Sequence, residues 1–429
     1  LAGNSRDGDA VIQTFLDGYR GELLEVPVSS QPWWTRDRLR YEGDDLYFAG
    51  HRVADLVAEH GAPLTLYDRE RVLENIGRVT GAFARVGQKH QLYFAVKSNR
   101  FAPLLATIRS SGMCGIDCCS PNEVKLALAS GFAPEKISFT GSSVSEEDVN
   151  AIGHLPIRIN VDSISMMHKV GRLFPGRSIG IRVNPQIGVG LSTQLTYAGA
   201  RPSKFGIYAD RFEEALEVAR SYGLKVQGLH MHVGSGWLAR GMVTFLRAVE
   251  RLADFAEQLD EVVYVNVGGG IGVAHSAEDQ PVDLDLYARA ISQVVRRRLG
   301  AHVEVCCEPG DYIVNDTAIM CAKVTQVEEK GGVVFVGLNV GFNSNPQAAH
   351  YGFVQELTHA TRGPSSPSQP THMVVGNINE VIDNFHESAH LPATLQEGDI
   401  VVMLNAGGYG SSMSSNHCMR ETARELLLD

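Results

Sequence analysis

From residue 64 to about residue 312, short apolar runs alternate with amphipathic stretches of helical length. Repetition of strand-length and helix-length patterns is the mark of parallel β/α units. After Leu64-Tyr67 the runs fall at 92–96, 115–117, 137–140, 157–161, 178–183, 226–231, 262–267 and 303–307, with helix candidates between them. Eight strands over roughly 215 residues match a (β/α)8 barrel, which typically needs about 250. An open, doubly wound sheet is the alternative arrangement of the same units.

Beyond residue 312 the alternation stops. Segments rich in β-formers follow at 319–327, 333–339, 372–376 and 399–404, separated by the loop Gly363-Pro364-Ser365-Ser366-Pro367. The predicted class is α/β, with a TIM-type (β/α)8 barrel over 61–312 followed by a C-terminal β domain over 313–429. Residues 1–37 show weak periodicity and read as an N-terminal extension. Over 38–60, the runs Leu39-Arg40-Tyr41 and Leu46-Tyr47-Phe48 flank the turn Gly43-Asp44-Asp45, and a helix-like stretch follows at 53–60. This hairpin and helix are expected to join the β domain, because chain termini often lie close together.

Composition narrows the function classes. At 429 residues the chain exceeds one ordinary core, and 44% hydrophobic with 20% charged residues is the make-up of a globular protein. A net charge of −11, with no basic stripe, disfavours nucleic acid as a partner. The seven cysteines are odd in number and lack metal-site spacing, so a reducing compartment, the cytoplasm, is expected. No apolar run reaches the roughly 18 residues of a membrane span, and residues 1–20 are polar and acidic rather than signal-like.

Barrel active sites lie at the carboxyl ends of the strands, so the residues closing each run carry the chemistry. The first run ends in Ala95-Val96-Lys97-Ser98-Asn99. A lysine closing a buried strand is poorly solvated, which would lower its pKa and suit it to Schiff-base formation; the plainer reading is a lysine that reaches solvent. The sixth run ends in His230-Met231-His232-Val233-Gly234-Ser235-Gly236, with both histidines on one face. No third His or Cys at ligand spacing accompanies them, so no metal is expected, and an imidazole stacked on an aromatic cofactor beside a Gly-Ser phosphate loop explains the motif better. Gly268-Gly269-Gly270-Ile271-Gly272, after the seventh run, suits either phosphate binding or a simple tight turn. The eighth run ends in Cys307-Glu308-Pro309-Gly310, and a carboxylate there would keep a pyridine nitrogen protonated and the ring a strong electron sink. Far downstream, Asn405 to Asn416 surrounds Tyr409 with small residues, as in a flexible loop or one that closes on a phosphate.

As an ordered set these segments resemble the pyridoxal-5′-phosphate (PLP) dependent decarboxylases of the alanine-racemase-like (fold type III) class, which act on diaminopimelate, ornithine and arginine; the diaminopimelate decarboxylases are most similar. The matching stretches, spread over roughly 46–425, also include Asn160-Val161-Asp162-Ser163, Arg182-Val183-Asn184-Pro185 and Ser203-Lys204-Phe205-Gly206-Ile207. The resemblance implies Lys97 as the Schiff-base lysine, His232 stacked on the cofactor ring, and Glu308 paired with the pyridine nitrogen. It implies that Ser235, Gly268, Gly269, Gly270 and Tyr409 hold the phosphate. It further implies a homodimer whose β domains complete one another's active sites.

The departures bear on substrate. The family commonly has Arg after Glu-Pro-Gly, where Asp311 stands here, and Asn339 to Gln347 lacks the family's other arginine. Those arginines grip the distal carboxylate of diaminopimelate, and an unpaired buried charge is costly. The family's Cys-Glu-Ser-Gly-Asp-like element is Asn379-Glu380-Val381-Ile382-Asp383 here, which keeps the glutamate and loses a cysteine linked to reprotonation. Asp311, Asn379, Glu380 and Tyr409 are therefore the expected substrate contacts. The expected substrate is a basic amino acid without a distal carboxylate, such as lysine or ornithine, with the D-enantiomer included. The alternatives are meso-diaminopimelate, a siderophore or antibiotic precursor, or a PLP-binding regulator without activity.

Overall fold

The computed structural model describes residues 32–199, 201–363 and 372–429; most of the expected N-terminal extension and most of the Pro/Ser-rich loop lie outside the described residues. Strand β1 (Leu39–Glu42) pairs antiparallel with β2 (Asp45–Phe48), and β3 (His51–Arg52) completes a small sheet. Its buried residues Leu39, Leu46 and Phe48 pack with Ile319, Cys321, Val402 and Leu404. The hairpin thus packs against strands of the C-terminal domain. Strand β4 (Leu64–Asp68) follows, and Asp68 caps the helix Arg69–Arg85 by accepting from the amides of Glu70 and Arg71.

The barrel comprises β5 (His90–Ala95), β6 (Cys114–Cys118), β7 (Ile137–Phe139), β8 (Arg158–Val161), β9 (Ser178–Arg182), β10 (Lys225–His230), β11 (Tyr264–Asn266) and β12 (Glu304–Cys307). All neighbours are parallel, and Cys307 opposite Leu92 closes β12 on β5. These are the eight runs expected from the sequence.

Strand alternation sorts each run into two faces. Leu92, Phe94, Ile116, Cys118, Ile159, Ile181 and Leu229 belong to the main core shared with the helices. The intervening residues face the barrel interior, where Tyr93, Tyr264 and Cys306 form a small separate cluster. Glycines make room for those rings: a Cβ on Gly180 would lie 2.2 Å from the Tyr264 hydroxyl, and one on Gly228 2.5 Å from its ring.

The C-terminal domain contains β13 (Ala318–Lys330), β14 (Val333–Leu338), β15 (Leu357–His359), β16 (His372–Val375), β17 (Asn384–Ala389), β18 (Ile400–Met403) and β19 (Arg424–Leu428). Strands β13, β14, β16 and β18 match the expected segments. The short β15 and the polar β17 gave no alternation to read. Strand β4, expected to lead the barrel domain, pairs instead with β13 and β19. Its five residues are all buried, so a continuous apolar run could not reveal which sheet it enters.

Candidate active site

Two segments of different origin meet at the mouth of the barrel. The turn after β5, Val96–Ser98, carries Lys97, and the β-domain loop is laid directly against it. The Tyr409 amide donates to the Ser98 carbonyl at 2.8 Å, the Ser412 hydroxyl donates to the same oxygen at 3.1 Å, and Asn99 Nδ2 donates to the Gly407 carbonyl at 2.8 Å. Tyr409 adopts φ 55°, a left-handed conformation rare for a bulky residue, which such anchoring maintains.

A cleft opens there. It is lined by Lys97, His232, Ser235, Gly269, Gly270, Glu308, Asp311 and Tyr409, all expected from the sequence, and by Ala95, Asp117 and Gly310. A wider depression beside Ser163, Lys169 and Arg211 contains none of these groups. Among the described residues, no group of three or more His, Cys, Asp or Glu is placed to hold a metal.

Three expected site residues do not line the cleft. Gly268 sits just behind it. A Cβ on Gly268, Gly269 or Gly270 would lie 2.3, 2.2 or 1.9 Å from the carbonyl oxygens of Met231, Glu308 and Gly234 respectively. The glycines are therefore required by contact between neighbouring strand ends, whatever else they bind. Asn379 and Glu380 belong to an exposed loop where Glu380 Oε1 lies 3.3 Å from His417 Nε2. Asp383 secures that loop by accepting from the amides of Ile378 at 2.6 Å and Phe342 at 2.7 Å.

Glu308 and Asp117, two of the three carboxyls that line the cleft, are held differently. Glu308 accepts from Asn266 Nδ2 at 2.6 Å and Ser138 Oγ at 3.3 Å on one oxygen, and its other oxygen lies 2.8 Å from His230 Nε2. Burial opposes its charge, but His230, Asn266 and Lys97 together hold it below the ordinary glutamate value. Asp117 has one buried oxygen without a partner, and burial, then Glu308, push it well upward. The two carboxyls are thus shifted in opposite directions within a single cleft.

His232 is held well below its ordinary value by burial, then by Lys97 and Arg182, and is neutral. Its Nδ1 accepts from the Gly269 amide at 3.3 Å, and its ring lies 5.2 Å from that of Tyr197. Lys97 corrects the sequence expectation. Its ammonium is raised rather than lowered, chiefly by Cys119, with burial opposing and Tyr409 and Asp117 adding. The acidic neighbours come from other strand ends, which local sequence around Lys97 cannot reveal.

Sequence reasoning missed Asp117, Asn266 and Ser138, and quoted His230 without giving it a role. Asp117 and Asn266 are polar residues near the ends of otherwise apolar runs, the same signal that singled out Glu308. The remaining matched stretches build the rim: Arg182 pairs with Asp162 at 3.2 Å, and Asn184 Nδ2 donates to the Ser203 hydroxyl and the Phe205 carbonyl.

Residues 70–315 match the family model described as pyridoxal-dependent decarboxylase, pyridoxal binding domain. The chain is 33% identical over 393 residues to a diaminopimelate decarboxylase of Methanothermobacter thermautotrophicus, covering 89% of this chain and 90% of that protein. It is 30% identical over 403 residues to the diaminopimelate decarboxylase of Escherichia coli K12, covering 90% and 93%. The crystal structure of diaminopimelate decarboxylase from Helicobacter pylori complexed with L-lysine superposes with a TM-score of 0.78 at 28% identity, over 88% of this chain and 94% of that one. The chain belongs to the pyridoxal-dependent decarboxylases: it is a PLP-dependent carboxy-lyase acting on an amino acid.

Proposed function

We propose that this decarboxylase acts on a basic amino acid with a distal ammonium group and no distal carboxylate, such as lysine or ornithine in the L- or D-form. The carrying observation is the Asp311 carboxyl in the cleft, whose described lining offers no cation besides Lys97. Burial pushes Asp311 up to about 7, so it is poised to ionise when a cation arrives. The similarity to diaminopimelate decarboxylases favours meso-diaminopimelate as the second reading.

The residues present fit the cofactor. Lys97 is the amine within the cleft, neutral His232 offers a flat ring, and Gly269, Gly270, Ser235 and Tyr409 form a wall of backbone and hydroxyl groups suited to a phosphate. Bound PLP supplies the electron sink for the carbanion left when CO2 departs. Charged Glu308 would accept a hydrogen bond from the protonated pyridine nitrogen and so would maintain that sink. His232 would orient the ring by stacking, and Asp117 lines the same cleft. Asp311 draws the distal ammonium toward the barrel mouth.

We also infer a homodimer in which Glu380 enters the partner's cleft. In support, Val381 beside it is 99% exposed and Ile382 55%, a costly display of apolar surface unless another chain covers it. A monomer by sedimentation at assay concentration would count against this arrangement.

CO2 release from D- and L-lysine, D- and L-ornithine, arginine and meso-diaminopimelate tests the substrate reading; turnover confined to diaminopimelate would overturn it. Asp311 adds a pH signature. In the folded chain it keeps its proton up to about 7, whereas unfolded it loses it in the ordinary carboxylate range. Its contribution to stability is therefore complete at low pH and is lost as pH rises through about 7. Attraction for a distal cation runs the opposite way, so KM should fall as pH rises through neutrality. Asp311→Asn should flatten that dependence and raise KM about 10- to 100-fold. An unchanged KM profile in Asp311→Asn would remove Asp311 from the substrate site.

A further inference from the structure

Glu308 and Asp117 present two carboxyls to one cleft, and their surroundings differ chiefly in donors. Glu308 has three polar side chains around it; Asp117 keeps an unpartnered oxygen. His230 is the strongest source of this asymmetry. It is the last residue of β10, only 1% exposed, with Nε2 at 2.8 Å from Glu308 Oε2. Its other nitrogen, Nδ1, is buried with no hydrogen-bond partner. A proton on Nδ1 would be an unsatisfied buried donor, which costs more than a hydrogen bond returns. The ring therefore carries its proton on Nε2 and donates it to Glu308.

We propose that His230 is a positioning residue that holds one oxygen of Glu308 and so aims its carboxylate at the cofactor nitrogen. The proposal rests on the reading of Glu308 given above. The position follows from the barrel: register places His230 beside Asn266 on β11 and Arg182 on β9, so two donors on adjacent strands converge on a residue that follows β12. Asn266 is locked in turn, its Oδ1 accepting from the Gly268 amide at 2.9 Å. Ser138 connects the same carboxylate to Asn160, and Asn160 accepts from the Tyr264 hydroxyl at 2.9 Å. Glu308 thus has little freedom to rotate, and the loss of the His230 donor is the change that would release one of its oxygens.

The test is a double-mutant cycle on the full chain, read as the dissociation constant of PLP. His230→Leu should weaken PLP binding about 10- to 100-fold, the worth of one hydrogen bond to a buried charge. His230→Gln, which keeps an N–H donor, should stay within about 3-fold of wild type. In a Glu308→Gln background, His230→Leu should add less than about a 2-fold loss, because a neutral amide no longer depends on that donor. Should leucine not give folded protein, His230→Phe keeps the ring volume without the donor and carries the same expectations. An equal loss in both backgrounds, or no loss in either, would overturn the positioning role. If Glu308→Gln alone leaves PLP binding and kcat unchanged, the underlying reading of Glu308 fails instead.

Discussion

Replacing Lys97 with alanine is expected to abolish covalent retention of PLP and to lower turnover by at least about 10³-fold, since no other amine can form the lysine linkage. The cleft contains no second lysine among its described lining residues. Borohydride reduction of the holoenzyme followed by peptide mass analysis should place the adduct on Lys97, and in Lys97→Ala no residue should carry it. Removing a charge that Cys119, Tyr409 and Asp117 favour should not by itself unfold the barrel, because Val96 and Ser98 on either side remain buried. The melting temperature of Lys97→Ala should therefore stay close to that of wild-type apoprotein. Lys97→Arg, which keeps the charge without a usable nucleophile, should be equally inactive. Full activity in either variant would defeat the assignment.

Glu308→Gln is expected to reduce kcat by about 10²- to 10³-fold with a much smaller change in KM, as removal of one preorganised electrostatic group in a water-poor site does. An amide cannot balance a protonated pyridine nitrogen, so the ring becomes a poorer sink while Asp311 and the rest of the cleft lining stay in place. The amide also meets a hostile arrangement. His230, Asn266 and Ser138 all surround a group built to accept, and the new NH2 would oppose one of those donors. Some loss of thermal stability should accompany the loss of rate. Glu308→Asp, charged but shorter, should recover part of the rate only if charge is what matters. Steady-state kinetics on the preferred substrate distinguishes these outcomes; an unchanged kcat in Glu308→Gln would refute the role.

The expected outline of the site was legible because its residues occupy equivalent places. Lys97, His232, Gly269, Gly270 and Glu308 all follow the ends of barrel strands, and every strand end in a parallel barrel points to the same mouth. Tyr409 could be included only through its unusual run of small neighbours and the family resemblance. Gly268 shared a motif with its neighbours, yet its requirement for glycine arises from the Met231 carbonyl at its back. Lys97 was expected to lose its proton readily on grounds of burial, which accounted for one influence and omitted Cys119, Tyr409 and Asp117. Glu380 was identified by motif, but the structure places it on an exposed loop outside its own chain's cleft.

From the order of residues alone came the barrel, its eight strands and the separate β domain, because apolar periodicity is a local property repeated in every β/α unit. The allegiance of Leu64–Asp68, the inward face of each strand and the convergence of His230, Asn266 and Ser138 on Glu308 required the folded chain. Those features depend on strand register and on which distant ends meet, and a one-residue change in register would turn each of these side chains to the opposite face.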